Sequence, residues 1–150
     1  MSDTPKKADL LLWEIPSDFR WLEIINCSIH AVGQEQGWSE EDQHALAIVG
    51  IELVSNAVEH GNRFDTSRRV RVEMEVSSGR FRMAVSDEGP GVDPEILDRP
   101  VPEPSPDDLM PRGRGFSIMQ VLVDAVRFDR DDSGRFRVEL EKSLAPAPQA

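Results

Sequence analysis

Between residues 60 and 70 the apolar period of this chain changes, and that change limits the folds open to it. From Trp21 to His60 apolar residues recur at helical spacing; from Val70 to Val85 they alternate. Val70, Val72, Met74 and Val76 alternate with Arg71, Glu73 and Glu75, and Phe81, Met83 and Val85 alternate with Arg80, Arg82 and Ala84. Ser77-Ser78-Gly79 between the runs has turn chemistry, so the two runs read as a hairpin whose strands each bury one face. A second hairpin is expected where residues 126–128 and 135–140 flank Asp131-Asp132-Ser133-Gly134. A sheet with one dry face needs a covering layer, and helices must supply it.

Residues 8–15 are apolar, bounded by Pro16, and read as a strand. Ser17 is the expected N-cap of a first helix, with Asp18 in its first turn and Gly37 closing it after about Gln36. Its apolar positions are Trp21, Ile24, Ile25, Ser28 and Val32. Ser39, with Asp42 three residues later, resembles a capping box and opens a second helix running to His60, with Gly61 as its stop. Leu46, Val49, Gly50, Leu53 and Ala57 form its buried stripe. A third helix is expected over residues 116–126, with Ile118, Val121, Leu122 and Ala125 inward. Between these parts, residues 98–112 hold five of the chain's 11 prolines, a density that excludes a helix interior or a central strand. The expectation is an α+β two-layer sandwich: a mainly antiparallel mixed sheet covered on one face by three helices. One domain spans 8–144, and the polar residues 1–7 and the low-complexity residues 145–150 read as disordered.

Lys and Arg total 17 against 28 Asp and Glu, a formal net charge of −11. Such a chain is not a non-specific binder of nucleic acid or of an anionic membrane. No apolar run reaches the ~18–20 residues of a membrane span. The N-terminus lacks the apolar segment of a signal peptide, so a cytoplasmic protein is expected. The single cysteine, Cys27, reads as a small buried residue of the first helix. His30 and His44 have no motif around them and read as surface residues.

Three short runs carry chemistry. In Glu52-Leu-Val-Ser-Asn56-Ala-Val-Glu-His60-Gly61-Asn62, an acid and an amide lie four residues apart beside the apolar stripe, on one helical face. The Asn carbonyl could join substrate phosphates around Mg²⁺, and the Glu could accept a proton. Asp87-Glu-Gly89-Pro-Gly91 follows a strand directly, where a carboxylate can accept from an exocyclic amine and glycines admit close backbone approach. Gly113-Arg-Gly115-Phe-Ser-Ile-Met opens the third helix, exposing N–H groups and a helix dipole to an anion, with Arg112 and Arg114 as cationic donors. Each run alone also fits a plain surface pair, a turn or a loop-to-helix junction.

Together the three runs resemble the N, G1 and G2 boxes of the GHKL (Bergerat-fold) ATPase superfamily, which includes gyrase and the histidine kinases. The proline-rich segment at about 98–112 sits where that superfamily has its ATP lid. Within it the runs are most similar to the anti-sigma-factor serine/threonine kinases, over about residues 8–142. The resemblance implies ATP and Mg²⁺ as cofactors. Glu52 would be the general base, Asn56 the Mg²⁺ ligand and Asp87 the acceptor for the adenine amino group. Gly89 and Gly91 would seat the base, and Gly113, Arg114 and Gly115 would cradle the phosphates with Arg112 beside them. His60, Val92 and Phe116 complete the nucleotide-contacting set.

The implied activity is phosphorylation of a STAS-type anti-sigma-factor antagonist by a kinase that also binds a sigma factor, in a partner switch with no direct contact to nucleic acid or membrane. A homodimer through the sheet and first helix would be in keeping with that family. The alternative is a non-catalytic, partner-sequestering module of the same fold; a simple ATPase of the gyrase kind would usually carry further domains. The resemblance departs at one place. Many family members have Thr near the start of the last strand, helping a water reach the adenine-binding Asp; Gly134-Arg135-Phe136 stands here, implying a looser or rearranged adenine site.

Overall fold

The alternation beyond residue 70 becomes the centre of a five-stranded sheet. In a computed structural model of the chain, residues 7–90, 119 and 121–145 are described. Strand β1 (Asp9–Pro16) leads into a one-turn 3₁₀ helix (Phe19–Trp21), helix α1 (Leu22–Gln36) and helix α2 (Glu40–Asn56). A π-turn (Ala57–Gly61) follows, then β2 (Arg69–Ser77), β3 (Arg80–Asp87), β4 (Ala125–Arg130) and β5 (Phe136–Ser143). The sheet order is β1-β2-β3-β5-β4, and every described pairing is antiparallel. The mixed pairing expected from sequence is thus absent among the described strands.

Register turns the alternation into rows across the sheet. One inward row is Trp13, Val72, Val85, Val138 and Phe128; the next is Leu11, Met74, Met83, Leu140 and Val126. Ile25, Ile29, Leu46, Val49, Leu53, Val54 and Val58 of the helical layer close over them, joined by Phe81 and Trp38 in edge-to-face contact at 5.3 Å. Burying each such side chain stabilises the fold by roughly 1.5–3 kcal/mol, so this layer contact is its main support.

The outward face carries the complementary pattern. The row Leu12, Glu73, Ala84, Glu139 and Arg127 lies beside the row Leu10, Glu75, Arg82, Glu141 and Ala125. Glu139, only 7% exposed, is paired with Arg82, with Arg137 at 3.2 Å and with Arg127 at 3.5 Å. Arg71 and Arg137 both reach Glu73. Exposed pairs contribute little singly, but here they form a lattice that covers the sheet without a second helical layer.

Several local expectations change. The 3₁₀ helix is capped by Asp18, whose Oδ1 accepts from Arg20 N–H at 3.0 Å, and not by Ser17, which is buried with its hydroxyl donating to the Arg68 carbonyl at 2.8 Å. The buried line of α1 is Ile25, Ile29 and Gly33; Ile24 is 43% exposed. Adjacent lines on a helix differ by about 100°, and only the contact with α2 chooses between them. The same rotation exposes Cys27, whose thiol donates to Glu23 Oε1 at 3.3 Å, and that carboxylate raises the thiol pKa. His30 and His44 meet edge to face across α1 and α2, centroids 5.3 Å apart.

Most of the expected third helix lies outside the described residues. Its last turn, with Val123 N–H donating to the Met119 carbonyl at 3.0 Å, buries Met119 and Val123 in the common core. Ala125, expected in that helix, instead opens β4 opposite Glu141. The proline-rich stretch 98–112 also lies outside the described residues.

Candidate functional site

At the end of α2 the apolar stripe runs out and the helix widens. Glu52 and Asn56, one turn apart on one face, are half-buried, and neither side chain has a hydrogen-bond partner among the described residues. After Asn56 the backbone loosens by one residue: Asn62 N–H donates to the Ala57 carbonyl at 2.8 Å and Phe64 N–H to that of Val58 at 2.9 Å. Such single π-turns recur at functional sites. The turn ends at Gly61 as expected, but the left-handed residues are Arg63 (φ 52°) and Phe64 (φ 58°). Gly61 is required for closeness instead. A Cβ there would overlap the Asp87 carboxylate, and a Cβ on Gly89 would overlap the Gly61 carbonyl. The helix end and the turn after β3 therefore touch backbone to backbone. Gly61→Ala is expected to cost about 1–3 kcal/mol by overpacking. At about 3 °C per kcal/mol the melting temperature falls by roughly 3–9 °C, as calorimetry would show.

Asp87 ends β3 on its inward face and is 4% exposed. Its Oδ1 accepts from Gly89 N–H at 2.8 Å. Burial raises its pKa, opposed by that N–H bond and by the charges of Arg130 and Arg68. Oδ2 has no hydrogen-bond partner among the described residues. The only fully enclosed polar side-chain atom without one there is Trp21 Nε1, so Oδ2 of Asp87 is not completely enclosed. Directly across the ladder from Asp87 stands Phe136, stacked on Phe128 with centroids 6.2 Å apart. The position where sequence led one to look for a hydroxyl thus presents an aromatic ring on the side of Asp87.

The turn itself is held from several directions. Glu88 N–H donates to Asn62 Oδ1 at 2.8 Å, and Glu88 Oε2 accepts from Arg69 N–H at 2.7 Å. Arg135 reaches Glu88 at 3.8 Å, and Arg130 donates to the Pro90 carbonyl at 2.8 Å. Asn62 is fully buried and also donates to Ser17 Oγ at 2.9 Å and to the Arg69 carbonyl at 3.1 Å. His60 is exposed, with Nε2 3.9 Å from Glu59 Oε2.

The structure brings Gly61, the last residue of the π-turn that follows Asn56, against Asp87 and Gly89. Gly91, Val92, Arg112, Gly113, Arg114, Gly115 and Phe116 lie outside the described residues. Sequence reasoning did not single out Ser17 or Arg130 as site-side residues; it set Asn62 near the phosphate side without a separate role, and marked Phe136 only for the hydroxyl it lacks. The one signal for Asn62 was its place directly after the His-Gly pair.

The profile of the histidine kinase-like ATPase domain matches residues 15–141. The chain belongs to that family. Among ATPase-domain relatives, serine-protein kinase RsbW of Bacillus licheniformis is 28% identical over 130 residues, 84% of this chain and 81% of that protein. An anti-sigma F factor of Clostridium beijerinckii is 30% identical over 94 residues, 62% of this chain and 65% of that one. In solved structures, the RsbU and RsbW domains of a Mycobacterium tuberculosis protein align with a TM-score of 0.65 at 19% identity, covering 95% of this chain and 34% of that chain. The catalytic domain of histidine kinase ThkA aligns with a TM-score of 0.55 at 14% identity, covering 91% of this chain and 99% of that one. These two likenesses establish the ATPase-domain fold.

Proposed function

We propose that this chain is an ATP- and Mg²⁺-dependent serine protein kinase that phosphorylates an anti-sigma-factor antagonist of STAS type and also binds a sigma factor. The observation that carries the reading is the contact between Gly61, at the end of the helix bearing Glu52 and Asn56, and the Asp87–Gly89 turn. It brings an acid, an amide oxygen and a dry carboxylate to one region of an ATPase-family domain. Relatives named as serine-protein kinases and as an anti-sigma F factor support the rest.

The residues fit the nucleotide and metal. Among the described residues no three His, Cys, Asp or Glu side chains converge. Mg²⁺ seldom needs such a cage, since it keeps several waters and shares phosphate oxygens, and one unpartnered Asn carbonyl suffices beside them. When bound, Mg²⁺ would neutralise charge on the phosphates. Asp87 accepts from the base amine through Oδ2 while Oδ1 stays on Gly89. Glu52 accepts the proton of the acceptor serine hydroxyl. That oxygen then bonds to the γ-phosphorus as the bond to the β–γ bridging oxygen breaks, leaving ADP and a phosphoserine.

The product carries about two more negative charges and meets a chain of formal charge −11, so phosphorylation weakens the antagonist's hold. Sigma factors and their antagonists act on transcription, so a cytoplasmic location is part of this reading. No helix among the described residues is long and apolar enough to cross a membrane. The reading includes a homodimer through the sheet and α1, where Leu10, Leu12 and Ile24 are exposed.

Asn56→Ala tests the metal assignment. Affinity for Mg-ATP is expected to fall about tenfold or more, as for loss of a hydrogen-bonding or ligating group to a charged partner, while metal-free ATP binds nearly as before. Titration calorimetry with and without Mg²⁺ reads the difference. An unchanged Mg²⁺ dependence would remove Asn56 from the site.

A further inference from the structure

We infer that Asn62 is the positioning residue for base recognition: its buried amide sets the Asp87–Gly89 turn against the end of α2, so that Asp87 presents one oxygen outward. The inference rests on the nucleotide-site reading above.

The amide ties its own segment to three others, 45, 7 and 26 residues away. Its Nδ2 protons go to Ser17 Oγ, just after β1, and to the Arg69 carbonyl at the start of β2; its Oδ1 takes Glu88 N–H beyond β3. Both donor protons and one acceptor site of the side chain are used, at 0% exposure. Asn62 itself is anchored by its own N–H on the Ala57 carbonyl, one residue beyond Asn56. The chain of bonds therefore runs from the helix carrying Glu52 and Asn56 to the turn carrying Asp87, through one side chain.

The turn shows what that bond controls. Two successive N–H groups follow Asp87, and each is taken by a side chain: Glu88 N–H by Asn62, and Gly89 N–H by Asp87 itself. With the first fixed, the plane of the Asp87–Glu88 peptide is fixed, and Asp87 can close on Gly89 with Oδ1 and leave Oδ2 free. Without it, Glu88 N–H loses its partner and must turn toward water, which rotates the peptide that orients Asp87. Gly61 and Gly89 in backbone contact leave no slack to absorb that rotation elsewhere. Donor and acceptor must sit on one short side chain for this, which an amide at position 62 provides. An aspartate at the same place keeps the acceptor for Glu88 but sets a carboxylate against the Arg69 carbonyl.

That division makes the role separable from simple structural support. The probes are ATP and inosine triphosphate, which share the triphosphate and differ at the base amine. Affinities are measured by calorimetry with Mg²⁺, alongside melting temperatures. The unaltered chain is expected to prefer ATP. In Asn62→Ala that preference collapses: ATP weakens about tenfold or more, as for loss of a charge-assisted bond, and inosine triphosphate by less than about threefold. Asn62→Asp melts earlier yet keeps the ATP preference, because Glu88 N–H retains its acceptor.

If Asn62→Ala weakens both nucleotides equally, or keeps the preference, Asn62 is structural only and the inference is overturned. If the unaltered chain does not distinguish the two nucleotides, the assignment of Asp87 to the base fails and the inference falls with it. Hydrogen exchange on the unaltered chain is a check that needs no variant. Glu88 N–H is expected to exchange at least ~100-fold slower than a free amide, and exchange at the free rate would equally overturn the inference.

Discussion

Glu52→Ala is expected to abolish phosphoryl transfer to a serine acceptor and to leave ATP bound. The expected loss is about 10²–10⁴-fold in the single-turnover rate, the range a positioned general base supplies. Glu52 is half-buried, on the same face as Asn56, with no hydrogen-bond partner among the described residues. Its removal therefore orphans nothing, and stability should stay within about 0.5 kcal/mol of the unaltered chain. Glu52→Gln gives the stricter comparison, since it keeps the shape and removes only the basicity; its rate should match that of the alanine variant. The measurement is transfer of labelled phosphate to a cognate antagonist, with nucleotide affinity followed in parallel. Transfer at the unaltered rate in either variant would mean that the proton goes elsewhere. A loss of ATP affinity equal to the loss of rate would mean that Glu52 binds rather than reacts.

What could be read in advance was local in sequence. The period of 2 in residues 70–85 gave both strands, the turn at Ser77–Gly79 and the inward faces, because alternation is a property of a single strand. Glu52 and Asn56 share a face because four residues make about one helical turn. The fold class followed from element order and from counting dry faces, and the second hairpin from its turn residues.

What could not be read was set by contacts between distant segments. Ser17 looked like a cap because capping is judged from its neighbours; its actual partners, Arg68 and Asn62, are 51 and 45 residues away. Asn62 read only as a residue on the phosphate side with no role separable from that of His60, since nothing nearby says that Glu88 N–H, 26 residues on, will need its oxygen. Cys27 and Ile24 were placed inward because two apolar lines on α1 differ by one residue, and α2 selects the other. The glycines at 61 and 89 were visible as turn and stop chemistry, whereas their mutual contact is a fact of packing. Phe136 was noticed for the hydroxyl it lacks; register shows what stands there instead, a ring directly across from Asp87.

Asp87→Asn is expected to bind ATP poorly while folding at least as well as the unaltered chain near neutral pH. Asp87 has two acceptor oxygens: one takes Gly89 N–H within the turn, and in the proposed site the other takes the base amine. Asparagine has one such oxygen and can serve only one of these donors. If its oxygen stays on Gly89, the NH₂ group faces the donor of the base. A charge-assisted bond of about 1.5–3 kcal/mol is lost, or roughly 10–150-fold in affinity. Stability is expected to change in the opposite direction. Burial, the largest influence, raises the Asp87 pKa above the ordinary aspartate value. The folded state therefore holds this proton more tightly than the unfolded chain does, and the stability Asp87 contributes is greatest in acid. It is lost as pH rises from the unfolded value through the folded one, and ionised Asp87 is then a cost to the fold. Asparagine carries no such cost. Urea denaturation of both proteins from pH 3.5 to 7 should show their stabilities diverging in favour of Asp87→Asn as pH rises across that window. A variant that loses stability relative to the unaltered chain as pH rises would mean that the Gly89 N–H and the two arginines outweigh burial. A variant that still binds ATP as tightly would mean that the base amine is met by another group.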